Sequence, residues 1–135
     1  MFLMLSFLIG SATAQTYPAY HISDAEFERV VSAEYRKCMD SSGGVTAAMR
    51  DCSATEFDRL DAKLNAEYRN AMSRLQPNDR VKLRQLERDW LKARWRECDR
   101  SMAKEAGGTM ALVISDGCRL SELARRTVWL QRYGR

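Results

Sequence analysis

The chain is poor in the residues that build metal sites. Its 135 residues include one histidine, His21, and four cysteines, with no Cys-x-x-Cys among them. A structural zinc needs four clustered thiolate or imidazole ligands, so no such site and no cofactor are expected. Long apolar runs are missing as well. Phe2-Leu3-Met4-Leu5-Ser6-Phe7-Leu8-Ile9 is apolar but falls well short of the ~20 residues that cross a bilayer, so no transmembrane span is expected. Strand-like stretches are nearly absent, apart from the brief run Ala111-Leu112-Val113-Ile114. No low-complexity linker divides the chain, which leaves one all-α domain.

What the N-terminus does carry is a targeting pattern. The apolar run is followed by Ala12-Thr13-Ala14, a small-residue cleavage site. The expected organisation is a signal peptide over 1–14, cleaved after Ala14, a leader over 15–22 and a single helical domain over 23–135. A buried N-terminal strand or helix end is the alternative for the first segment. No Lys or Arg precedes the apolar run, which leaves open a start further upstream. No cysteine follows Ala14 directly, so a lipid anchor is not indicated. An even number of cysteines behind such a segment points to disulfides in an oxidising compartment, periplasmic or secreted.

Four helices are expected. Ser23-Asp24-Ala25-Glu26 is a capping box, with Ile22 and Phe27 placed as a hydrophobic staple. Phe27, Val30, Val31, Tyr35 and Cys38 keep helical spacing to about Asp40. After Ser41-Ser42-Gly43-Gly44, Thr46 can cap a second helix whose stripe is Met49, Phe57, Leu60, Leu64, Tyr68, Ala71 and Leu75. Gln76-Pro77-Asn78-Asp79 is a turn, and a third helix follows with Leu83, Leu86, Trp90 and Ala93, ending near Ala106. Gly107-Gly108 breaks the chain, Thr109 is a candidate cap, and the fourth helix carries Val113, Leu120, Leu123, Ala124, Val128 and Leu130. The fold class is a small four-helix antiparallel arrangement.

Each pair of cysteines straddles a diglycine, where positive φ lets a helix end and the chain reverse. Folding back there brings Cys38 to Cys52 and Cys98 to Cys118. Folding back at Pro77-Asn78 sets Asp61 opposite Arg94, Asn65 opposite Trp90 and Tyr68 opposite Glu87. In that register Cys52 and Cys98 are offset by about 7.5 Å along the axis. With a lateral helix separation near ~8–10 Å this exceeds the reach of a disulfide. Two disulfide-stapled hairpins are therefore expected, each contributing about 3 kcal/mol in the chain-entropy model.

The order of these residues resembles the lysozyme-inhibitor LprI-like N-terminal domain family. The run that carries the likeness is Cys38, Thr46-x-x-Met49-x-x-Cys52, Glu56, Asp61-x-x-Leu64-Asn65-x-x-Tyr68, then Trp90-x-x-x-Arg94-x-x-x-Cys98. It closes with Gly107-Gly108-Thr109-Met110, Cys118 and Leu123-x-x-Arg126. The resemblance covers about residues 35–133. It implies a small helical extracytoplasmic protein of bacteria, with lysozyme inhibition known for few of its members.

Asp61, Asn65, Trp90 and Arg94 read either as a polar site with an aromatic platform or as an internal register lock; their facing positions favour the lock. Asp58 and Asp61, one turn apart, have the residue types of a catalytic carboxylate pair, but helix surfaces carry such pairs routinely. Ser23 and Asp24 beside His21 are already explained as cap residues, so no nucleophilic site is read there. The rings of Tyr35, Phe57, Tyr68 and Trp90 fall on helical stripes, whereas Trp95 and Trp129 sit off them.

The net charge is +4, and seventeen of the twenty-two basic residues are arginine. Arg80, Arg84, Arg88, Lys92, Arg96, Arg100 and Lys104 recur every four residues along the third helix. The default reading is a solvated face balanced by Glu87, Asp89, Glu97, Asp99 and Glu105. The functional one is an anion-binding ridge for envelope polymer or lipid headgroups. Nucleic acid is not expected as a partner of an exported protein. The reading is a non-enzymatic binding protein. Its partner is a lysozyme or other envelope protein by resemblance, or an anionic envelope polymer through the basic row.

Overall fold

The computed structural model describes residues 22–104 and 108–135. The expected signal peptide, the expected leader through His21 and residues 105–107 lie outside the described residues. Six helices occur among the described residues: α1 Asp24–Val30, α2 Ala33–Ser41, α3 Thr46–Arg74, α4 Pro77–Ala93, α5 Arg96–Lys104 and α6 Thr109–Arg132. They form the four expected rods, α1 with α2, α3, α4 with α5, and α6. No strand occurs among the described residues.

The first rod starts where the sequence says it should. The Ser23 backbone N–H donates to Glu26 Oε2 at 3.0 Å, and the Glu26 N–H donates to Ser23 Oγ at 3.2 Å. Ile22 and Phe27 pack against the core behind this box. The rod then breaks, where one continuous helix was expected. Val31 and Ser32 are extended, with ψ of 147° and 154°. The polar groups freed by the break find partners on α3. Ser32 donates its N–H to Glu56 Oε1 at 2.8 Å and its hydroxyl to Glu56 Oε2 at 2.7 Å. The Val30 carbonyl accepts from Arg59 Nη2 at 2.6 Å. The third rod is also interrupted, at Arg94 and Trp95 between α4 and α5.

Gly43 and Gly44 take φ of +60° and +74°, the left-handed region that the first reversal requires. At the second diglycine the described residue, Gly108, is extended at φ −124° and occupies the N-cap of α6. Thr46 and Thr109 are not the caps expected of them. Each is the first residue inside its helix, behind Val45 and Gly108, and neither of those caps carries a side-chain hydrogen bond.

Both disulfides have the local connectivity, Cys38–Cys52 and Cys98–Cys118, each with Cα atoms 5.7 Å apart. The long helices α3 and α6 run parallel and pack most closely. Arg50 reaches Asp116 near their N-terminal ends, and Gln131 reaches Glu67 further along. At the C-terminal ends Arg74 donates to the carbonyls of Leu130 and Tyr133. Because α3 and α6 start at the same end, the two stapled tips lie together there.

The core runs down the middle of the bundle. Leu60, Leu64 and Ala71 of α3 meet Leu83 and Trp90 of α4 and Leu120, Leu123, Ala124, Val128 and Leu130 of α6, with Val30 closing one side. Spacings of three and four residues put each set on one face. Full burial of each leucine contributes about 1.5–3 kcal/mol.

Candidate functional site

Among the described residues, open grooves lie on both sides of α3. The first lies between α3 and α4 and has a volume of about 300 Å³. Asp61, Asn65, Arg94 and Glu87 line it, with Tyr68, Arg84, Arg88 and Leu91. Arg94 Nη1 stands 4.0 Å from Asp61 Oδ1, so the facing pair exists, with side-chain exposures of 23% and 42%. Asn65 folds back onto its own helix and donates to the Asp61 carbonyl at 3.0 Å. Trp90 does not line the groove; it is buried in the core. The Arg94 guanidinium lies over Trp95 at 4.4 Å and over Trp90 at 5.5 Å, which places a cation on two rings.

Behind this groove sits an ionic pair that the facing-position argument did not find. Glu87, expected opposite Tyr68, turns inward and accepts from Arg126 Nε at 2.7 Å, and both residues are buried. The Arg126 guanidinium is held over Trp129 at 3.7 Å and near Trp90 at 5.3 Å. Burial pushes the Glu87 carboxyl above the usual carboxylate range, and Arg126 opposes that push without reversing it. The signal was present as Arg126 placed on the same helical face as Leu123 and Leu130, but its partner lies 39 residues away in sequence.

The second groove lies between α3 and α6, with a volume of about 430 Å³. Its lining comprises Arg50, Asp51, Ser53, Ala54, Phe57, Asp58, Asp116 and Arg119. Both of its arginines form ion pairs, although the buried Nε of Arg119 has no hydrogen-bond partner. Arg50 Nε donates to Asp116 Oδ2 at 2.8 Å, and Arg119 Nη2 donates to Asp99 Oδ1 at 3.3 Å. Arg119 also lies 5.5 Å from the Trp95 ring, which is itself 5.8 Å from Phe57. Asp58 therefore lines this groove and Asp61 the other. The two carboxylates do not converge on one space.

The basic row divides by what each side chain touches. Arg80 donates to the carbonyls of Met72 and Leu75 at 3.0 and 2.9 Å, capping the end of α3. Arg88 bonds Gln85, and Arg100 bonds Glu97. Arg84, Lys92 and Arg96 are exposed and carry no hydrogen bond or ion pair, although Arg96 follows the interruption after α4. The side chain of Lys104 lies outside the described residues. Among the described residues no group of three acids, histidines or cysteines stands close enough to hold a metal ion. None of the described helices is long and apolar enough to cross a membrane.

A protein-family model described as lysozyme inhibitor LprI matches residues 38–130. The chain belongs to this family. No curated protein and no solved structure matches it. The LprI match takes in both disulfides, both grooves and the Glu87–Arg126 pair, and leaves out only α1 and the first turns of α2 from the folded N-terminal part. Glu56 falls inside the LprI stretch, and its carboxylate is the group that holds the α1–α2 break. Burial pushes that carboxyl up, but hydrogen bonds from Arg59 and Ser32 outweigh burial and bring it below the ordinary range.

Proposed function

We propose that this is an extracytoplasmic, non-enzymatic binding protein that inhibits a lysozyme-type glycosidase. The family match over residues 38–130 is the observation that carries this reading. Two disulfides fit an exported protein, since they persist in oxidising compartments. An inhibitor must occlude a cleft with a rigid surface and a few apolar anchors. The stapled end offers that surface: Val45 beside the first tip and Met110 and Ile114 beside the second are exposed apolar residues. Of the four residues expected as a register lock, Asp61 and Arg94 face each other from α3 and α4, Trp90 packs in the core, and Asn65 bonds its own helix.

A second reading has its own support. Arg84 and Lys92 of α4 and Arg96 of α5 are exposed cations without partners, and Arg88 lies between them. That face suits an anionic envelope polymer or lipid headgroup.

The test is a cell-wall lysis assay with the oxidised protein and a basic lysozyme at two salt concentrations. Dose-dependent inhibition that persists at physiological ionic strength is expected. No inhibition at a large molar excess overturns the first reading, and binding to anionic polymer in its place establishes the second.

A further inference from the structure

We infer that the groove between α3 and α6 accepts a cationic side chain, an arginine or lysine, from a basic partner protein. The inference rests on the inhibitor reading for the identity of the partner and on the groove itself for the chemistry. Asp51 and Asp58 stand seven residues apart, two turns on one face of α3, which separates them by about 10.5 Å along the axis. Neither side chain has a hydrogen bond or ion pair. The arginines that would otherwise neutralise them are committed elsewhere, Arg50 to Asp116 and Arg119 to Asp99. Ala54 between the two acids leaves the space open.

Ser53 points the same way independently. It is only 3% exposed, it lines this groove, and its hydroxyl has no hydrogen-bond partner. A serine in a helix commonly donates to the carbonyl four residues back. Here that bond is not formed, which leaves the hydroxyl oxygen open to the groove as an acceptor. A guanidinium carries five donors and no acceptor. It would meet an acceptor at Ser53, carboxylates at Asp51 and Asp58, and the Phe57 ring along its planar face. Among the described residues no three acids lie close enough to capture a metal ion. A separated pair of carboxylates suits side-chain cations better.

The groove also answers an electrostatic difficulty. A chain of net charge +4 repels a basic lysozyme at long range. The groove places its free carboxylates near the stapled end, while the unpartnered cations Arg84 and Lys92 lie on α4, which does not contribute to it.

Two measurements test this on the oxidised protein. The first titrates an Arg-Gly-Arg peptide amide and follows backbone amide shifts by NMR. Shifts should cluster at 51–58 and 116–119, vanish in Asp51→Asn/Asp58→Asn, and survive in Asp24→Asn/Asp79→Asn at the opposite end. Shifts spread evenly over all carboxylates, or unchanged in the groove variant, overturn the site. The second measures inhibition of a basic lysozyme, where the groove variant should weaken the complex about tenfold or more. Inhibition equal in parent and groove variant removes the groove from the inhibitory surface and leaves the inhibitor reading intact. Peptide binding without lysozyme binding does the reverse: the cation site stands and the inhibitor reading falls.

Discussion

Arg126 of α6 donates to Glu87 of α4 across the centre of the bundle, with Trp129 stacked on the guanidinium. A buried pair of this kind is costly to break, because removing one partner strands the other charge away from water. Glu87→Ala and Arg126→Ala should each lower stability by about 3–5 kcal/mol. The double variant should lose less than the sum. Denaturant unfolding of the four-member cycle measures both. Additive losses would mean that the two side chains do not act on each other.

Asp61 and Arg94 face each other as the register predicts, but at 4.0 Å and with Asp61 42% exposed. Water screens such a pair, so Asp61→Ala should cost no more than about 1 kcal/mol. Arg94→Ala should cost more, because it also removes the cation from the Trp95 face. Equal losses in the two variants would show the ion pair, and not the ring contact, to be what Arg94 contributes.

The contrast between these pairs shows what a sequence of this kind makes legible. Local signals carried through: the Ser23–Glu26 capping box, the left-handed Gly43-Gly44 and the pairing of cysteines across each reversal all depend on neighbours in the chain. Periodicity gave the rods and their stripes, since an apolar face must be buried whatever lies opposite. Contacts between rods were legible only where a turn fixes the register, as for Asp61 with Arg94. Glu87 and Arg126 lie on the two rods joined at Gly107-Gly108 and are close to level in the register that Cys98–Cys118 sets; what the sequence did not announce is that both charged side chains turn inward. The break at Ser32 was hidden for a related reason. The stripe of Val30, Val31 and Tyr35 reads as one helix, and the group that rewards breaking it, Glu56, is 24 residues on. Ser53 was similarly unremarkable in sequence, because the groove that its hydroxyl faces is a property of packing.

Glu56 should set part of the acid limit of the fold. Its carboxyl is lowered in the folded protein by Arg59 and Ser32. A lowered acid contributes stability above its unfolded value, near ~4.3, and loses that contribution as pH falls through the folded value. Glu87 and Glu122 are raised by burial and act in the opposite sense, their contribution improving as pH falls. Melting temperature followed from about pH 7 to pH 3 should therefore fall less steeply for Glu56→Gln than for the parent. A steeper fall in the variant would reverse the assigned direction.

The two disulfides should respond differently to reductant. Cys38 is exposed, whereas Cys98 is fully buried. Thiol–disulfide exchange needs access to a sulfur, so graded reduction should open Cys38–Cys52 first. Removing Cys98–Cys118 by paired serine substitution should cost about 3 kcal/mol. It should also loosen α5 before the rest, since α5 packs mainly on α6 beside that bond. Hydrogen exchange read by mass spectrometry would reveal this as early loss of protection over 96–104. Uniform loss across α3 and α6 would mean that the bond holds the whole bundle.

The basic face separates the two functional readings, provided that Arg80 is left alone. Arg80 caps α3 through the carbonyls of Met72 and Leu75, so changing it tests the fold and not a surface. Arg84, Arg88 and Lys92 are exposed on α4 and can be reversed to Glu without disturbing a buried contact. A ridge of cations attracts polymer through fields that screening shortens to about 8 Å at physiological ionic strength. Arg84→Glu/Arg88→Glu/Lys92→Glu should therefore abolish salt-sensitive binding to anionic polymer. It should leave the melting temperature within a few degrees of the parent, as surface substitutions usually do. Against a basic lysozyme the same variant should inhibit as well as the parent or better, because like charge has been removed from the approaching surfaces. If the parent inhibits strongly and the triple variant does not, the basic face is itself the inhibitory surface, and its assignment to anionic polymer is wrong.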